Sequence, residues 1–108
     1  GPNDLTQMTY GLSRDDVEAS VSKQYIEMDI LQESPFAQLD ALGVGKLVQE
    51  AIKSSRAANP EIKIGICGEH GGDPTSIRFL ANSGVNYVSC SPPRIPIARL
   101  VCAQESLK

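Results

Sequence analysis

No basic excess, no long apolar run and no paired cysteines are found in these 108 residues. With ten Lys and Arg against thirteen Asp and Glu, the formal charge is −3, so there is no positive field to draw in nucleic acid or an anionic membrane. The apolar stretches fall far short of the roughly 18 residues that cross a bilayer, and nothing resembles a signal peptide; a soluble chain is expected. Cys67, Cys90 and Cys102 form no CxxC pair and lack zinc-site spacing. An odd number suits a disulfide framework poorly and points to a reducing compartment. A chain of this length holds one domain at most, which excludes a large self-sufficient enzyme.

What is present is a series of helix and strand signals broken by turn residues. Residues 3–11 are polar and aperiodic and end at Gly11, which reads as a loop. Ser13-Arg14-Asp15-Asp16 is a capping-box variant, and Val17, Val21, Tyr25 and Met28 follow at helical spacing. Ser34-Pro35 is expected to open a second helix through Phe36, Leu39, Leu42, Leu47, Val48, Ala51 and Ile52, bent at Gly43 and Gly45 and stopped by Asn59-Pro60. A strand is predicted over 63–68, a helix from Asp73-Pro74 to Gly84, a strand over 86–91, and a last helix beyond Pro92-Pro93-Arg94. Two strands joined through a helix make a right-handed parallel βαβ unit. Two parallel strands close no sheet, so an α/β barrel with its remaining strands elsewhere is the architecture that covers them.

The chemistry concentrates in Ile66-Cys67-Gly68-Glu69-His70-Gly71-Gly72-Asp73-Pro74. In a (β/α) barrel, catalytic groups follow strand C-termini, and Cys67 holds that position. Free thiols are mostly protonated at neutral pH and can give a proton to an enolate; a small buried hydrophobe is the competing reading for Cys67, and is preferred for Cys90 and Cys102. Gly68, Gly71 and Gly72 permit close backbone approach, and the helix start at Asp73-Pro74 suits an anion, although the same residues also serve a tight strand-to-helix turn. Glu69 and His70 can position a ligand; a histidine after Glu69 in a loop reads first as polar surface. Asn3 and Asp4 offer an amide and a carboxylate of the kind Mg²⁺ takes, but one carboxylate is too few for a cage, and Asn-Asp is by itself a turn former.

Three segments together resemble the pyruvate, phosphate dikinase family: residues 3–11 with Ser13-Arg14-Asp15-Asp16; Gly65 to Pro74; and Val88-Ser89-Cys90-Ser91-Pro92 with Arg94-Ile95-Pro96-Ile97-Ala98-Arg99-Leu100. The likeness spans nearly the whole chain. Sugar-transport phosphotransferase Enzyme I and phosphoenolpyruvate synthase share an Asn-Asp and a Cys-Gly segment, whereas the Glu-His-Gly-Gly-Asp-Pro continuation resembles the dikinases.

The resemblance implies that residues 1–108 are the C-terminal portion of a (β/α)8 TIM-type barrel that binds phosphoenolpyruvate and pyruvate, without the phosphohistidine and nucleotide-binding domains. It implies interconversion of ATP, phosphate and pyruvate with AMP, diphosphate and phosphoenolpyruvate, with Mg²⁺ as cofactor. By resemblance Cys67 protonates the pyruvate enolate, Asp4 binds Mg²⁺, Asn3 contacts substrate, and Gly1 supplies a backbone contact; Gly68, Glu69, His70, Gly71, Gly72 and Asp73 support the loop. The family has threonine where this chain has Pro2, a departure that a cleavage scar at Gly1-Pro2 explains and that puts contacts through residues 1 and 2 in doubt. The family's substrate arginines and a second metal carboxylate come from earlier strands, so the isolated chain is expected to be inactive. A homodimeric parent in cytoplasm or plastid follows from the same resemblance. The competing classes are a non-catalytic assembly module, the barrel of a phosphoenolpyruvate synthase, and a thiol redox module, the last disfavoured by the missing resolving cysteine.

Overall fold

A computed structural model describes all 108 residues. Its centre is the βαβ unit expected from the sequence. Strand β1 (Gly65–Ile66) pairs in parallel with β2 (Tyr87–Val88), Gly65 opposite Tyr87 and Ile66 opposite Val88. Flanking bonds from Asn86 N–H to the Ile64 carbonyl (2.7 Å) and from Ser89 N–H to the Ile66 carbonyl (2.8 Å) lengthen the ladder. The strands are shorter than the sequence suggested, and the two form the whole sheet. Each therefore keeps one edge without a strand partner.

Helix α5 (Pro74–Ser83) connects them, and both of its ends follow from local chemistry. The Asp73 carboxylate accepts from the Ser76 N–H, Pro74 occupies the first turn, and Gly84 ends the helix at φ 86°, the left-handed conformation glycine takes without penalty. Helix α4 (Val44–Ala58) covers one face, stopped at Asn59 as expected, and α6 (Ile95–Ser106) packs against α5. Leu39, Val44, Val48, Ile52, Ile66 and Leu80 form the main core, while Ile77, Ala98 and Val101 form a smaller one that Cys90 and Cys102 flank.

The N-terminal third departs from the sequence reading. Residues expected to form a loop make helix α1 (Pro2–Tyr10), closed by Gly11 at φ 64°. Its polar composition hides the buried side: Pro2 and Thr6 are covered, Leu5 and Tyr10 pack on the main core, and the Thr6 hydroxyl is satisfied by the Pro2 carbonyl at 2.6 Å. Beyond Ser13, which makes no side-chain cap bond, come α2 (Arg14–Asp16), a π-helical turn (Val17–Val21) and α3 (Ser22–Glu27). Of the periodic apolar residues there, Val17 is buried whereas Tyr25 and Met28 are exposed.

The helix expected from Ser34-Pro35 starts instead at Val44. Asp40 is the reason. Its carboxylate accepts the N–H groups of Leu42 (3.1 Å) and Gly43 (3.0 Å) and the Tyr10 hydroxyl (3.1 Å), holding residues 40–43 as a turn and tying it to α1. Side-chain bonds from Asp to nearby backbone compete with helix at such positions.

Candidate active site

The loop after β1 turns at once. Gly68 takes φ 86°, residues Glu69–Gly72 form one 3₁₀ turn, and the Gly71 N–H bonds the Gly68 carbonyl at 3.1 Å. Gly71 and Gly72 are needed for proximity. A methyl group on Gly71 would strike the Ser89 carbonyl, and one on Gly72 would strike the Arg94 stem. The segments after the two strands thus lie flush against each other. A polar hollow of about 350 Å³ opens there, lined by Gly68, Glu69, Ser89, Cys90, Ser91 and Arg94.

Cys67 is exposed at the C-terminal end of β1, as an accessible thiol requires. The N-terminal end of α1 reaches the same loop. Asn3 donates from Nδ2 to Glu69 Oε2 at 3.0 Å, and a Cβ on Gly68 would lie 3.2 Å from the same Asn3 nitrogen. Arg14 faces the other Glu69 oxygen at 3.7 Å, its own N–H bonds Gln7 Oε1 at 2.9 Å, and Gln7 Nε2 reaches Asp4 Oδ1 at 3.4 Å. Asn3, Glu69, Arg14, Gln7 and Asp4 therefore form a continuous polar circuit between α1, α2 and the thiol loop. The Asn3 amide, then Glu69's own backbone N–H and more weakly Arg14, hold the Glu69 carboxyl below its ordinary range.

Of the residues singled out in the sequence, Asn3, Gly68 and Glu69 are brought together, and Asp4 is joined to them through Gln7 and Arg14. Gly1 and Pro2 lie apart from the hollow, at the start of α1 beside a cleft lined by α4 and β1. Asp73 faces α5 as its N-cap. His70 corrects the surface reading: it is fully buried, its Nε2 is 2.9 Å from the Pro35 carbonyl, and Nδ1 has no partner. Burial pushes its imidazole below the ordinary value, outweighing the pull of the Pro35 carbonyl and of Asp73 and Glu69. Gln7, Arg14 and Arg94 were missed as site residues. The spacing of Asp4 and Gln7, three apart on one face, would have paired those two had residues 2–10 been recognised as a helix.

For Mg²⁺ the donor types fit in part. Asp4 supplies a carboxylate, and Asn3 Oδ1 is a buried acceptor with no partner, both being hard oxygen ligands. No three His, Cys, Asp or Glu side chains gather around a point, so these residues can contribute to a magnesium site but do not enclose one. No helix is long and apolar enough to cross a membrane.

Residues 1–107 match the family described as "PEP-utilising enzyme, PEP-binding domain". The chain is 58% identical over 104 residues to pyruvate, phosphate dikinase 1, chloroplastic, of Arabidopsis thaliana, covering 96% of this chain and 11% of that protein. It is 55% identical over 107 residues to pyruvate, phosphate dikinase of Clostridium symbiosum (99% and 12%) and 54% identical over 108 residues to that of Rickettsia prowazekii (100% and 12%). It thus spans 11–12% of the length of these relatives, which are enzymes and include chloroplastic and bacterial proteins. The chain belongs to the PEP-utilising enzymes, through their PEP-binding domain.

Proposed function

We propose that residues 1–108 are the C-terminal portion of the phosphoenolpyruvate/pyruvate-binding (β/α) barrel of a pyruvate, phosphate dikinase, and that Cys67 is the proton donor of its pyruvate half-reaction. The observation that carries this reading is the exposed Cys67 thiol at the C-terminal end of β1, on the loop that Asn3 reaches through Glu69. Strand C-termini are where barrel enzymes keep their chemistry. The two unpaired sheet edges support the barrel, since further strands would cover both.

In the direction of pyruvate formation, Cys67 Sγ–H gives its proton to the methylene carbon of the enolate, and the thiolate regains one from solvent. In reverse the thiolate takes a methyl proton from pyruvate. Asp4 would hold Mg²⁺, with the unpartnered Asn3 Oδ1 a further acceptor available to metal or substrate, and the ion when bound would supply charge that stabilises the enolate oxygen. Glu69, fixed by Asn3 and Arg14, orients Asn3 and so keeps that acceptor free. Gly71 and Gly72 let the segments after the two strands pack flush beside the hollow, and Gly68 makes the turn that follows the thiol; the Gly1 backbone, set apart from the hollow, takes no part in this reading. The remaining metal carboxylate and the substrate arginines come from other strands, so the 108-residue chain alone does not turn over; metal-dependent pyruvate/phosphoenolpyruvate exchange by the isolated chain would refute this.

Cys67→Ala in the full-length dikinase tests the proton-donor role. Pyruvate methyl-proton exchange is expected to fall by about 10²- to 10⁴-fold, the range for loss of a general acid, with unfolding temperature and oligomeric state intact. Exchange at the unaltered rate removes the role. That outcome would favour the second reading, an assembly module for a homodimeric parent, which the exposed Ile95, Ile97 and Leu100 on α6 and Tyr87 on β2 support.

A further inference from the structure

Residues 35–39 are tied to the thiol loop directly at His70 and indirectly at Asp73, through Ser76 on α5. His70 Nε2 meets the Pro35 carbonyl at 2.9 Å, and the Leu39 N–H meets Ser76 Oγ at 2.8 Å, with that hydroxyl donating to Asp73 Oδ2 at 2.6 Å. The side chains at this seam are shielded: His70, Ser76, Pro35, Phe36 and Leu39 are buried and Asp73 is half-buried. A carbonyl only accepts, so His70 carries its proton on Nε2, and Nδ1 is left as a buried lone pair without a donor. An unmet buried polar atom is destabilising, and a leucine of similar volume would carry none. The histidine is thus a poor choice for packing alone.

We infer that His70 is a positioning residue for the pyruvate half-reaction, its Nε2–H bond to the Pro35 carbonyl fixing the turn on which Cys67 is presented. The linkage is short. His70 lies inside the turn closed by the Gly71 N–H on the Gly68 carbonyl, and Gly68 directly follows Cys67. A sideways movement of the imidazole therefore moves the thiol. Residues 35–39 are the fixed point against which the loop is set, because Phe36 and Leu39 are both buried and Leu39 is part of the main core.

The inference rests on the proton-donor reading of Cys67, and three variants of the full-length dikinase separate the two. In His70→Leu, which removes the donor, kcat for pyruvate methyl-proton exchange per folded molecule is expected to fall about 10- to 100-fold, as small misplacements of a reacting group do, while KM for pyruvate changes by less than about 3-fold. In His70→Gln, whose amide nitrogen can occupy the Nε2 position, kcat is expected to return to within about 3-fold of the parent. A merely structural histidine would lower the melting temperature and folded yield of His70→Leu while leaving kcat per folded molecule unchanged, and that result overturns the inference. Should His70→Leu not fold, His70→Gln against His70→Asn decides: the shorter amide cannot reach the carbonyl, so equal kcat in the two overturns it. Cys67→Ala is run alongside. Exchange retained in Cys67→Ala sinks the proton-donor reading and this inference with it; exchange lost there but intact in His70→Leu sinks the positioning role alone.

Discussion

The chain from Val44 onward and the stretch before it are built on different terms. In the later region, helices and strands alternate with caps made by adjacent residues, and the buried side chains of α4, β1 and α5 meet in one core. In the earlier region the structure depends on partners far along the chain: Tyr10 on Asp40, Asn3 on Glu69, Pro35 on His70. Tyr25, Ile26, Met28 and Ile30 there remain exposed. The comparison teaches that the later region is largely a self-consistent packing unit, whereas the earlier one is a collar held by long-range polar contacts and by a few apolar anchors, Leu5, Tyr10 and Leu39, on the main core.

The largest effect expected is in the unit. Leu80 is fully buried in the main core, and Leu80→Ala should cost about 2–5 kcal/mol, the range for such truncations, read as a lower urea midpoint. Next comes the loop. A methyl group on Gly71 meets backbone, the Ser89 carbonyl, and one on Gly72 meets the flexible Arg94 stem. Gly71→Ala should therefore cost about 1–3 kcal/mol, as overpacking does, and more than Gly72→Ala. The reverse order in paired unfolding curves would mean the two strand ends are not in fixed contact.

The same division explains what could be read from the residues alone. The α5 caps, the stops at Asn59 and Gly84, and the parallel pairing of two strands through a helix were legible, because each signal acts within a few residues of where it is written. Helix α1 was not: its buried side is Pro2 and Thr6, and its threonine hydroxyls are consumed by its own carbonyls, so a polar stretch carries a helix without an apolar stripe. The break before Val44 was legible only as a bend at Gly43 and Gly45, for the complementary reason. The apolar spacing across 36–52 is helical, but Asp40 binds its own downstream N–H groups and the distant Tyr10. In the site, the thiol's place followed from the strand before it. The burial of His70 could not, since Pro35 lies 35 residues away.

The pH dependence of stability should separate the two kinds of contact, with a smaller effect than either core change because each involves one proton. Burial lowers the His70 pKa from its ordinary 6.5, so below that value the unfolded chain binds a proton that the folded chain refuses. Stability then falls as pH drops below about 6.5. The charged groups influencing His70 are Asp73, Glu69 and Arg14, and His70→Gln should abolish this upper slope. For Asp40, burial raises the pKa, but the Gly43 N–H, the Tyr10 hydroxyl and the Leu42 N–H together outweigh it and leave the group below 3.8. Its contribution is present above that value and is lost as pH falls through the lowered one. Tyr10→Phe should shrink this lower step and leave the upper one in place. A single slope common to both variants would show that the collar and the loop are not independent.

The smallest effect is expected on the collar's outer face. Tyr25 and Met28 are 39% and 67% exposed, and alanine at either should shift stability by no more than about 0.5 kcal/mol, as for surface positions without special contacts. The measurement that sharpens this is the melting temperature at two protein concentrations far apart. If these side chains face water in solution, neither the parent nor the variants depend on concentration. A parent whose melting temperature rises with concentration, and a Tyr25→Ala variant whose does not, would mean that a second copy covers this face, and the collar would then be an interface, held by apolar burial as the core is.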